Sequence, residues 1–118
     1  MTAKPEETAL VLVGTSHRRA RVELRERLYL TPREAADFAR RLTDDGGEAV
    51  VLSTCNRTEV YLAHREPKAA AARAQAGLAR LGSLSETELA AALSTARDDA
   101  AALQLFRVAA GLDSLVPG

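Results

Sequence analysis

The chain has 118 residues, a formal net charge of +0 and a hydrophobic fraction of 47%. That length fits one compact domain with its own core, and the balanced charge excludes a strongly basic nucleic-acid-binding module of the tail or stripe kind. A single cysteine, Cys55, excludes an internal disulfide. No apolar run approaches the roughly 18 residues of a membrane span, and the polar N-terminus lacks a signal-peptide core, so a reducing, cytoplasmic setting is the expectation.

Isoleucine is absent and the aromatic residues are Tyr29, Phe38, Tyr61 and Phe106, so leucine and valine should carry the core of a helix-rich domain around a small sheet. Ala9-Leu10-Val11-Leu12-Val13 reads as a short buried strand that Gly14 ends. A polar, positively charged loop through Arg21 leads into a short helical pattern from Val22 to Leu28, with Leu24 and Leu28 on its inner face. Thr31-Pro32-Arg33-Glu34 is a helix start: a Thr cap, Pro at the first helical position and Glu three residues after the cap. Ala35, Phe38, Ala39 and Leu42 keep helical spacing until Asp44-Asp45-Gly46-Gly47 stops it. Ala49 to Leu52 is the second strand, and Glu59 to Ala63 the third, antiparallel to the second. Pro67 to Leu81 is alanine-rich and helical and Gly82 closes it, after which Ser85-Glu86-Thr87-Glu88 repeats the capping-box spacing for a short helix through Ala92. Ala92 to Ala96 fits either a weak fourth strand or a link between helices. A last helix runs from Asp98 to about Ala110, with Asp98 and Asp99 at its favourable N-terminal end. This order predicts an α+β fold, a small and mostly antiparallel sheet with helices in a split β-α-β, ferredoxin-like arrangement.

The chemistry concentrates in Ser53-Thr54-Cys55-Asn56-Arg57-Thr58-Glu59-Val60-Tyr61. A buried structural cysteine usually has apolar neighbours, whereas Cys55 has a hydroxyl or amide on each side, which leaves a packing role and a reactive thiol both open. In an extended segment residues i and i+2 share a face, which would set Arg57 beside the sulfur, where a guanidinium favours the nucleophilic thiolate. Arg57 alone reads first as a solvated strand residue or an ion-pair partner of Glu59; paired with Cys55 it could also hold a substrate carboxylate bidentately. His17 reads as a capped loop residue or a support for the site, and His64, at a strand end, as solvent-exposed. Arg18, Arg19, Arg21, Arg25 and Arg27 form a solvated helix face or meet phosphates. One cysteine and two distant histidines make no zinc site. The glycines lack the G-x-G-x-x-G spacing of a dinucleotide fingerprint, so no nicotinamide site of the chain's own is expected.

Three ordered blocks carry a resemblance. Gly14-Thr15-Ser16-His17-Arg18-Arg19-Ala20 followed by Val22-Glu23-Leu24-Arg25-Glu26 looks like the opening of glutamyl-tRNA reductases, which begin tetrapyrrole (porphyrin, heme) synthesis by the five-carbon route. The segment from Ser53 to Tyr61 resembles the active-cysteine motif of that family almost residue for residue. Phe106-Arg107-Val108-Ala109-Ala110-Gly111-Leu112-Asp113-Ser114 is similar to a third family block.

The resemblance implies that a cysteine thiolate attacks the ester joining glutamate to the tRNA 3′ end, and that NADPH hydride then releases glutamate-1-semialdehyde from the thioester. By this analogy Cys55 is the nucleophile, Arg57 holds the glutamate carboxylate, Thr54 and Asn56 shape the pocket, and Ser114 supplies a polar contact. Two positions depart from the family pattern. Gln104 stands where many members have a histidine considered important for activity, and glutamine is no general base near neutral pH. Arg21 stands at a common proline position. Residues 1–118 are therefore expected to be a single N-terminal substrate-binding and catalytic domain of a larger enzyme, whose NADPH-binding and dimerisation domains lie outside it. Glutamyl-tRNA is the expected partner, with NADPH serving the full-length homodimer, no metal and no membrane. Alone, the domain would at most form or hydrolyse the thioester. The alternative from another class is a noncatalytic homologue that binds glutamyl-tRNA or a protein partner, which Gln104 favours.

Overall fold

The structure, a computed structural model, describes residues 8–16 and 20–109. Nine elements follow in chain order: β1 (Ala9–Ser16), α1 (Val22–Leu28), α2 (Pro32–Leu42), β2 (Glu48–Ser53), β3 (Arg57–His64), α3 (Pro67–Gly82), α4 (Glu86–Ala92), β4 (Ser94–Arg97) and α5 (Asp98–Ala109). The strands form one sheet in the order β2-β3-β1-β4, and every pairing is antiparallel. This is the expected split β-α-β topology, with α1 and α2 joining β1 to β2, and α3 and α4 joining β3 to β4.

The alternation of β1 and β3 divides two cores between the sheet faces. Val11, Val13, Val60 and Leu62 point to the larger core, where Leu28, Leu30, Phe38, Leu78 and Leu89 of the helical layer meet them. Leu12 and Tyr61 point the other way, toward Ala101 and Leu105 of α5. Leucine and valine dominate as composition requires, and alanine serves as the close-packing residue: Ala70 and Ala74 of α3 are fully buried.

Both capping boxes form. Thr31 Oγ1 accepts from the Glu34 N–H while the Glu34 carboxylate accepts from the Thr31 N–H, and Ser85 and Glu88 repeat the exchange at α4. The segment after Ala92 resolves as a strand. β4 pairs with β1 from Val11↔Arg97 to Gly14↔Ser94, taking the edge opposite β2.

Gly14 does not end β1. The strand continues to Ser16, paired with Arg57, and a Cβ at Gly14 would lie 2.9 Å from the Thr58 carbonyl oxygen and 3.0 Å from Glu59 Cγ. The glycine is there for close strand approach under the Glu59 side chain, not as punctuation. His64 also departs from expectation, being buried rather than solvent-exposed. Its Nδ1 accepts from the Glu66 N–H at 2.9 Å, its Nε2 lies 3.5 Å from Asp45 Oδ1, and its ring packs where a Cβ on Gly47 would be only 2.7 Å away. Arg27 is exposed, as a solvated face requires, and it also donates from Nε to the Gly82 carbonyl at 3.0 Å and from Nη2 to the Ser83 carbonyl, so it ties α1 to the end of α3. His17, Arg18, Arg19 and Ser114 lie outside the described residues. Among the described residues no helix is long and apolar enough to cross a membrane, and no group of three His, Cys, Asp or Glu could hold a metal ion.

Candidate active site at the β2–β3 hairpin

Cys55 sits at the tip of the β2–β3 hairpin. The Thr54 N–H donates to the Arg57 carbonyl at 2.8 Å, and Thr54 Oγ1 accepts from the Asn56 N–H at 3.2 Å, so backbone and hydroxyl together close a tight turn. Cys55 is therefore carried by a turn, and the extended alternation that would set Arg57 beside it does not operate. The thiol is exposed, whereas Arg57 begins β3 and is only 4% exposed.

Two hydroxyls anchor the ends of this turn. Thr58 Oγ1 donates to the Leu28 carbonyl at 2.9 Å and lies 2.8 Å from Ser53 Oγ, which in turn accepts from the Leu30 N–H at 2.9 Å. A hydroxyl has one proton. Because Thr58 spends its proton on Leu28, Ser53 must be the donor between the two. The chain runs Leu30 N–H to Ser53 to Thr58 to Leu28 C=O, fastening the α1–α2 joint to the hairpin. Sequence reading assigned no role to Ser53, Thr58 or the joint residue Tyr29, because their pairing spans distant parts of the chain.

Beside the turn lies a cleft of ≈ 770 Å³ lined by Cys55, Thr54, Asn56, Tyr29, Arg25 and Val22, among others. Arg25 Nη1 makes a long contact, 3.5 Å, with Asn56 Oδ1 across it. A separate cleft of ≈ 540 Å³ opens at the other end of the hairpin around Gly46, Gly47 and His64 and holds no nucleophilic thiol.

Arg57, Glu59 and Tyr61 alternate along the β3 face that meets α5. Glu59, 5% exposed, accepts from the Tyr61 hydroxyl at Oε1 and from Gln104 Nε2 at Oε2, each at 3.0 Å, and its Oε2 lies 3.7 Å from Arg57 Nη1. The structure thus brings Arg57 and Gln104 together through Glu59, and Cys55, Thr54 and Asn56 together at the cleft.

The matched regions decide the family. The model of the glutamyl-tRNA(Glu) reductase N-terminal domain matches residues 13–118. The chain belongs to that family. It is 41% identical over 112 residues to a glutamyl-tRNA reductase of Pseudomonas syringae pv. tomato, and 44% identical over 112 residues to one of Marinobacter nauticus. Each match covers 93% of this chain and 26% of the relative. Glutamyl-tRNA reductase from Methanopyrus kandleri has the same fold, with a TM-score of 0.59 and 31% identity over 90% of this chain and 23% of that one. The chain therefore spans about a quarter of the length of the relatives it matches.

Proposed function

We propose that this domain accepts the glutamyl group of glutamyl-tRNA on Cys55 as a thioester. The exposed Cys55 at the tip of a rigidly closed turn, opening into a cleft, is the observation that carries this reading. The Cys55 thiol gives its proton to solvent, the thiolate attacks the ester carbonyl, a C–S bond forms, the C–O bond to the ribose breaks, and the leaving 3′ oxygen takes a proton from water. The aminoacyl ester is already activated, so a thiol suffices, and one difficult step becomes two easier ones.

Arg57 is the residue we assign to the glutamate side-chain carboxylate. Its Nη1 lies 3.7 Å from Glu59 Oε2, so Glu59 orients the guanidinium. Arg57 is buried, and this role requires the surface over it to part. Thr54 and Asn56 hold the turn, and Ser114 is assigned a polar contact with substrate. Gln104 serves as an amide donor to Glu59 and takes no proton from the reaction.

In the whole enzyme NADPH would supply hydride to the thioester, as part of a homodimer. The described strands pair antiparallel throughout, unlike the parallel crossover on whose switch point a dinucleotide commonly sits. No hydride step is assigned to them.

Incubation with glutamyl-tRNA carrying labelled glutamate, followed by denaturation, tests the reading. Hydroxylamine-labile label on the protein is expected and should vanish in Cys55→Ser. Label on the wild-type protein no greater than on Cys55→Ser overturns it.

A further inference from the structure

We propose that the solvent-facing side of α1 beside Cys55 seats the terminal nucleoside of the substrate RNA, with the Tyr29 ring as its stacking surface; this rests on the thioester reading above. α1 has two faces. Leu24 and Leu28 turn into the core, while Val22, Arg25, Glu26 and Tyr29, spaced i, i+3, i+4 and i+7, line the cleft that holds Cys55. Val22 is 53% and Tyr29 46% exposed, so two large apolar side chains stand in water on the second face of a seven-residue helix and its C-cap.

The ring is mounted on fixed backbone. Leu28 and Leu30, on either side of Tyr29, are buried and held by the Thr58 and Ser53 hydroxyls, and those two residues flank the turn that carries the thiol. The backbone at Tyr29 is thereby registered to Cys55.

Substrate chemistry supplies the occupant. When the ester carbonyl reaches the Cys55 sulfur, the ribose is one bond away and its base follows. The surface next to the sulfur must therefore meet a nucleoside. Aromatic stacking suits that surface because every base has a π-face, and the cleft volume of ≈ 770 Å³ lies within the range of small-ligand sites. Arg25, whose Nε is buried and without a partner among the described residues, brings positive charge to the same wall, where the phosphate preceding the terminal nucleoside would pass.

The test is protection of Cys55 from iodoacetamide by the trinucleotide cytidylyl-cytidylyl-adenosine, the 3′ end of a tRNA without its amino acid. Saturable protection is expected in the wild-type protein and in Tyr29→Phe, with binding about 5- to 160-fold weaker in Tyr29→Ala. Circular dichroism checks that each variant is folded. Absence of protection in the wild-type protein, or undiminished protection in Tyr29→Ala, overturns the proposal. Protection that depends on Tyr29, found in a protein that glutamyl-tRNA fails to acylate, upholds the nucleoside seat and defeats only the thioester reading.

Discussion

Gln104 donates from Nε2 to Glu59 Oε2 at 3.0 Å, joining α5 to the middle strand pair through a carboxylate buried beneath the helix. The same oxygen faces Arg57, and the other accepts from Tyr61. Glu59 is thus the hub of the polar side of the sheet. Glu59→Ala should cost about 3 kcal/mol in urea unfolding, because it removes the ionised acceptor of the Tyr61 and Gln104 hydrogen bonds. Gln104→Ala should cost about 1.5 kcal/mol, the low end for a bond to an ionised group, since Gln104 is only partly buried. Equal losses in the two variants would contradict the hub.

The Ser53–Thr58 hydroxyl chain makes a separate prediction. Thr58→Val keeps the shape and strands the Leu28 carbonyl, so a loss of about 1–3 kcal/mol is expected. Thr58→Ser, which retains the donor, should recover most of it. A shift of the urea midpoint that is the same for Val and Ser would show that the methyl group, not the hydroxyl, matters at this position.

At Gly14 the prediction concerns backbone against backbone. A methyl group there meets the Thr58 carbonyl oxygen at 2.9 Å and Glu59 Cα at 3.1 Å, so β1 and β3 must separate. Gly14→Ala should destabilise by about 1–3 kcal/mol, and faster amide exchange should appear along β1 and β3. Unchanged exchange in both strands would refute the close-approach role.

The α4 cap gives a pH prediction. The backbone N–H of Ser85 holds the Glu88 carboxyl below its ordinary value of 4.5, with the Ser85 side chain, which is also bonded to Glu88, acting in the same direction. A carboxylate depressed in the folded state contributes stability that is full above the unfolded value and is lost as pH falls through the lower folded one. The stability advantage of the wild-type protein over Glu88→Gln should therefore be constant above about pH 5 and shrink below 4.5. An advantage that persists undiminished to the most acidic pH at which both proteins fold would refute the assignment.

Helix starts were legible because their signals are local. Thr31 to Glu34 and Ser85 to Glu88 each contain both halves of their capping exchange within four residues, and both form. The end of β1 was misread for the opposite reason: Gly14 is a glycine on account of Glu59, its cross-strand partner, and no window along the chain contains both. β4 was ambiguous by the same logic, since Ser94-Thr95-Ala96-Arg97 is a weak strand former until β1 offers it an edge.

The sequence by itself determined the family, the hairpin that carries Cys55 and the α+β order of elements, because motifs, caps and periodicity act through neighbours. Only the tertiary structure decided which polar groups face one another. It placed Arg57 in a buried pair with Glu59, bound Glu59 to Gln104 across the sheet, and fixed Tyr29 beside the thiol through Ser53 and Thr58. Apart from the Arg57–Glu59 pair, which lies within one strand, those relations join residues far apart in the chain, and they exist only once burial has made leaving a polar group unpaired more costly than ordering its partner.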